Sequence, residues 1–373
     1  MLMLWSVLLF RGDDHTIANS CGPIEPNKSN AYKRGSPMRA VLPAIYFVTL
    51  FFSLASFSQE QPVKLVQTIP LPNVEGRIDH MGFDQKGHRL FIAALVNNTL
   101  EVVDVSQGKK LQSISGFSKP QGVYYVPKLK RVFVANGNDG TCKVLGGNPI
   151  ALQTSIPLSL GADQMDFDSE AGKIYVGHGG KDAGKEYGEI AVIDAATDKH
   201  LGDIKTAVHP GGFALERAGS RMFVTMPESN ETVIINRKTE EVAASWPLPS
   251  DTQQPVALAL DEANHRLLVG TRKPPRVVVY DTNTGKTVAE TETVGVLDGL
   301  YFSPRHKQVY ASGGEGFLVV YRQSDPDHYE QTARIPTSYL ARTSLYVPEL
   351  DRLYVAVPKN DNNDAEIRVY QPQ

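Results

Sequence analysis

Three aspartates, Asp79, Asp163 and Asp298, each stand five residues ahead of a recurring strand end. Arg77, His80, Gln121, Gln164, His209, Gln254 and Arg342 crowd the same neighbourhoods. Two chemistries suit this set. Asp79, Asp163 and Asp298 with His80 offer oxygen and imidazole donors of the kind that hold a divalent cation. Arg77 and Arg342 offer planar forks for an anionic ligand. The carboxylates would equally serve as turn caps and as partners of the arginines, with water between them. The choice turns on whether the fold brings these positions to one level.

The positions can be compared because the chain repeats itself. One phrase recurs: a basic residue, an apolar one, an aromatic or large apolar one, Val or Ile, then a small residue. It reads Arg89-Leu90-Phe91-Ile92-Ala93, Arg131-Val132-Phe133-Val134-Ala135, Lys173-Ile174-Tyr175-Val176-Gly177 and Arg221-Met222-Phe223-Val224-Thr225. It continues as Arg266-Leu267-Leu268-Val269-Gly270, Gln308-Val309-Tyr310-Ala311-Ser312 and Arg352-Leu353-Tyr354-Val355-Ala356. The copies lie 42 to 48 residues apart. Ahead of each, a short strand closes on Asp84, Pro127, Asp168, Glu216, Asp261, Ser303 or Pro348. Five residues back, the column reads Asp79, Gly122, Asp163, Gly211, Val256, Asp298 and Thr343.

A third strand follows each phrase, often with an Asp-led turn such as Asp194-Ala195-Ala196-Thr197-Asp198-Lys199, and then a fourth strand such as 110–114. Asp bonds its own backbone in such turns. Four strands per unit and seven units predict an all-β fold, a seven-bladed β-propeller with four-stranded blades. Apolar runs without alternation, such as Val277-Val278-Val279-Tyr280, fit strands covered on both faces. The seventh unit reaches Gln373 after its third strand. Lys64-Leu65-Val66-Gln67-Thr68-Ile69 resembles the fourth-strand phrase Lys110-Leu111-Gln112-Ser113-Ile114. Residues 64–70 are therefore expected to complete the last blade and close a single propeller domain over 59–373. In such a ring the start of each first strand opens into the central channel.

The phrases Val192-Ile193-Asp194-Ala195-Ala196-Thr197-Asp198-Lys199 and Val279-Tyr280-Asp281-Thr282-Asn283-Thr284-Gly285-Lys286, each with the basic-aromatic-Val phrase before it, resemble the YVTN-type propeller repeat. The similarity runs across roughly 64–373 and extends to exported YncE-like bacterial proteins. It implies the propeller fold and leaves the reaction open. Repeat 2 departs from the pattern, since Lys143-Val144-Leu145-Gly146-Gly147 lacks the turn Asp.

Met38-Arg39 precedes an apolar run over 40–57, with small residues at Ser56 and Ser58 and a polar Gln59-Glu60-Gln61-Pro62 beyond. That order predicts a signal peptide over 38–58 and a periplasmic or secreted protein, with no membrane span after cleavage. The run also reaches the low edge of bilayer-spanning length. Residues 1–37 are expected to be an upstream extension, with translation starting at Met38. Cys142 would then be the one cysteine left, a small buried apolar residue.

Lys and Arg total 38 against 41 Asp and Glu, so no broad basic field supports nucleic-acid binding. Arg272-Lys273-Pro274-Pro275-Arg276 is only a local basic loop. The Gly-rich connection 177–185 lacks a phosphate-loop ending. The turn Ser312-Gly313-Gly314-Glu315-Gly316-Phe317 is expected to leave Glu315 exposed. Nucleophile elbows, zinc-protease pairs and haem-attachment motifs do not occur. The expected function is a monomeric, non-enzymatic module that presents its channel mouth and loops to a protein, a glycan or a small ligand. The alternative is a metal-dependent hydrolase similar to the lactonase propellers, with its divalent cation on Asp79, Asp163, Asp298 and His80. Those enzymes usually add a Glu and an Asn, which this sequence does not let us place.

Overall fold

The computed structural model describes residues 61–373. The expected extension 1–37 and signal peptide 38–58 lie outside the described residues. Segments rich in Val, Ile, Phe and Tyr become strands because branched and aromatic side chains pack well across a pleat. They sort into seven four-stranded antiparallel sheets, the expected seven-bladed propeller. Blades 1 to 6 span 81–114, 120–157, 165–206, 213–247, 253–292 and 297–336. Blade 7 combines 344–372 with Val63–Pro70.

Local chemistry sets each turn. Asp104, Asp194 and Asp281 each accept the backbone N–H groups two and three residues on, at 2.8–3.0 Å. Asp84 accepts from the Gly87 N–H and takes the fork of Arg89 at 2.6 Å. The recurring phrase is the second strand of each blade, and its third residue is wholly buried in every copy, from Phe91 to Tyr354.

Seven apolar layers hold the ring, one between each pair of neighbouring blades. The layer between blades 7 and 1 joins Tyr354 and Ile367 to Leu90 and Ile92. Closure follows from pairing: Val63 faces Pro372 and Ile69 faces Ile367, with Val63 and Ile69 buried. The expected closing strand is therefore present.

The outermost strands share a device. Each carries one residue outside the regular ladder: Leu111, Gln153, Leu201, Ala243, Val288, Thr332 and Val66 in blades 1 to 7. A bulge twists an edge away from flat pairing, so it blunts an exposed strand against a second chain. Among the described residues no helix is long and apolar enough to cross a membrane.

Candidate site at the upper channel mouth

The first strands of successive blades line the channel. Strand pairing sets their true levels. Asp84 faces Arg89, but in blades 2 and 7 the residues facing the equivalent arginines are Val126 and Val347. The strand ends expected at Pro127 and Pro348 are thus one residue too far. Proline lacks the N–H that a ladder position needs, so it falls just beyond the strand. The corrected column reads Asp79, Gln121, Asp163, Gly211, Val256, Asp298 and Arg342; Gly122 and Thr343 drop out of it. Backbone bonds agree: Ala93 donates to the His80 carbonyl as Ala356 donates to that of Thr343.

Two residues earlier, a rim column reads Arg77, Lys119, Gly161, His209, Gln254, Val296 and Leu340. Its backbone is left-handed at Lys119, Gly161, Gln254, Val296 and Leu340, with φ between 54° and 78°. Such a conformation is costly for a β-branched residue such as Val296, and strain of this kind collects at functional rims.

These columns enclose a cavity of about 370 Å³. Arg77, His80, Gln121, Asp163, Gln164, His209, Gln254, Asp298 and Arg342 all line it. Asp79 does not; it is buried beneath, with Arg77 Nη2 2.8 Å from its Oδ2. Three charged lining residues were not nominated for the mouth from the sequence: Lys119, Asp182 and Arg272. Arg272 was expected in a merely basic loop. Its Nε instead donates to the Leu297 carbonyl and its Nη2 reaches Asp298 Oδ1, both at 2.8 Å. Arg272 is the next-to-last residue of the second strand Arg266–Lys273, at its hairpin end.

Asp298 is the hub. Arg272 holds one oxygen, and Arg342 Nε lies 3.1 Å from the other. Arg77 stands at 4.0 Å from that same oxygen. Burial, with Arg342 and Arg77 adding, pulls the Arg272 pKa below the usual guanidinium range despite Asp298. Burial also opposes the charge of Arg77, yet Asp79, Asp298 and Asp163 hold its pKa above the ordinary value. The Asp79 carboxyl is pushed up by burial; His80 and Arg77 work against the rise, while Asp163 and Asp298 add to it.

The expected cation set does not assemble. Among the described residues no three His, Cys, Asp or Glu side chains are grouped to hold an ion. Asp298 faces arginines, Asp79 faces Arg77, and Gln164 Nε2 sits 2.6 Å from His80 Nε2. Oxygens of Asp79, Asp163 and Asp298 are all buried without a hydrogen-bond partner, but Asp79 and Asp298 stand beside arginines, whereas among the described residues Asp163 has no ion-pair partner.

The Gly-rich connection forms part of the rim. Gly180–Ala183 is a 3₁₀ turn that places Asp182 on the cavity, 3.6 Å from Lys119 Nζ. Beneath it, His178 Nδ1 accepts the Ser159 N–H at 3.1 Å, so Nε2 carries the proton donated to Asp203 at 2.9 Å. Burial lowers the pKa of His178. Glu315 is bound to the Gly295 N–H and lies 3.2 Å from Arg334 with its side chain half exposed. Cys142 is buried as expected, its thiol pushed up to about 12 by that burial.

A closed ring with a polar cavity where first strands begin defines a seven-bladed β-propeller with a channel-mouth site. Solved structures agree on the fold. A chain of the mitotic checkpoint complex superposes with a TM-score of 0.70 at 11% identity, covering 92% of this chain and 98% of its own. A chain of hydrazine synthase from Kuenenia stuttgartiensis gives 0.67 at 16%, covering 80% and 97%. At these identities the likeness shows architecture alone. No protein-family model and no curated protein matches the sequence.

Proposed function

We propose that the protein is an exported, non-enzymatic binding module of the YVTN-repeat type that holds a small zwitterionic ligand in its upper channel mouth. The signal-like segment 38–58 and the repeat phrases support the first part of that reading. The observation that carries the second is the pairing of a surplus of donors with an orphaned acceptor. Arg342 engages Asp298 through Nε, which leaves the outer end of its fork to the cavity. Across the channel, Asp163 Oδ1 lacks any hydrogen-bond partner. A buried acceptor of this kind costs about 1–3 kcal/mol, which a ligand donor would recover.

The charges of the mouth balance: Arg77, Lys119, Arg272 and Arg342 stand against Asp79, Asp163, Asp182 and Asp298. A neutral site with separated poles suits a ligand that is itself neutral and dipolar. Its carboxylate would meet the arginines and its ammonium would meet Asp163. The seven-bladed ring is commonly a scaffold for binding, and the neighbour in the checkpoint assembly is itself part of a protein complex. A partner protein presenting a charged loop could use the same poles.

Thermal melting with L-glutamine, succinate and glucose tests the reading. L-Glutamine should raise the Tm most, and Arg342→Ala or Asp163→Asn should abolish the rise. A rise that survives both substitutions, or no rise with any of the three, overturns it.

A further inference from the structure

His80 and Gln164 line the upper cavity and also a second one below it, of about 450 Å³. Their 2.6 Å contact therefore forms a shared wall across the channel. Four residues of one lower column, Tyr124, Asp166, Tyr301 and Leu345, line the second cavity, with Arg217 and Glu349 at its far opening. A smaller cavity of about 150 Å³ continues from it along Tyr124, Asp166 and Arg217. The larger volume lies within the range that takes small ligands.

Asp166 is the unusual member. Its Oδ1 accepts only the N–H of its own neighbour, Phe167, at 2.7 Å. The adjacent Asp168 captures Arg237, which also donates to the Glu216 and Gly219 carbonyls. Among the described residues no cation stands within ion-pair distance of Asp166. Burial pushes its carboxyl up to about 6, with the Phe167 N–H and the more distant charges of Arg217 and Arg237 opposing the rise. Two phenol rings line the same cavity, Tyr124 from the neighbouring blade 2 and Tyr301 from blade 6. Tyr301 donates its hydroxyl to the Ser344 carbonyl at 2.6 Å, which fixes the ring. Tyr124 packs against Phe167 with centroids 5.7 Å apart.

We propose that the lower cavity is a second binding site, for a small organic cation whose nitrogen pairs with Asp166 and whose alkyl body lies against Tyr124 and Tyr301. Aromatic faces attract such cations, most strongly away from water. Arg217 lies exposed at the opening, where solvent screens it and Glu349 offsets it. This site is independent of the upper mouth and of the reading given to it.

Calorimetric titration of the full chain with choline tests the proposal, with its neutral isostere 3,3-dimethyl-1-butanol and with benzoate as comparisons. Choline should bind at one site, at least about tenfold more tightly than the neutral alcohol. Asp166→Asn should weaken it by a similar factor. If that variant misfolds, Tyr124→Leu provides the second readout and should also weaken choline. Four results overturn the proposal: no saturable choline binding, equal binding of choline and the alcohol, Arg217-dependent binding of benzoate in preference to choline, or choline binding lost in Asp163→Asn but kept in Asp166→Asn.

Discussion

Arg342 Nε lies 3.1 Å from Asp298 Oδ2, joining blade 7 to blade 6, while Arg272 of blade 5 binds the other oxygen. One carboxylate thus ties three blades at the mouth. Asp298→Asn should destabilise the fold by about 3 kcal/mol, because it leaves half-buried guanidinium groups without their anion. It should also create a demand for an external anion. Sulfate at matched ionic strength should then raise the Tm of Asp298→Asn more than that of the parent; equal responses would contradict the hub.

Ring closure concentrates on a few side chains. Ile69 is fully buried opposite Ile367, in the layer shared with Leu90 and Ile92. Ile69→Ala should cost about 2–4 kcal/mol, read from urea melts. Removing 63–70 altogether should uncover the edge of Glu366–Pro372 and drive association. A deletion variant as stable and monomeric as the parent would show that the ring does not depend on this strand.

Asp166 carries a stability cost with a definite sign. Its folded carboxyl sits near 6, above the ordinary aspartate value, so the fold prefers the protonated form. Stability is therefore lost as pH climbs from about 4 through 6. Asp166→Asn should be more stable than the parent at pH 7.5, by at most about 3 kcal/mol and less where water reaches the group. The difference should vanish near pH 4. Urea melts at the two pH values measure it, and a pH-independent difference would refute the assignment.

The bulged outer strands make a prediction about solubility. Leu201 stands outside the ladder between Gly202 and His200. Deleting it should flatten the edge of blade 3 and promote edge-to-edge assembly, visible by light scattering. A deletion variant with unchanged scattering would mean that the bulge serves another purpose.

Much of this was legible in the residues. The repeat, the blade count and the borrowed strand 64–70 follow from phrases whose apolar residues must be covered on both faces. The channel level was nearly legible. Counting from Pro127 and Pro348 misplaced two blades by one residue, because a proline can end the phrase without occupying its ladder position. Gln121 and Arg342 were nominated only as neighbours, yet they hold the column. Arg272 was hidden because its role depends on a carboxylate 26 residues away, which no local pattern connects. The lower cavity gave no sequence signal at all. Tyr124, Asp166 and Tyr301 read as ordinary strand residues until the ring brings them to one level.

Calorimetric titration with L-glutamine, parent against Arg342→Ala, addresses the upper mouth most directly. The charge-separated site predicts saturable one-to-one binding to the parent and at least about tenfold weaker binding to the variant. Identical heats from both proteins, or none from the parent, would contradict it.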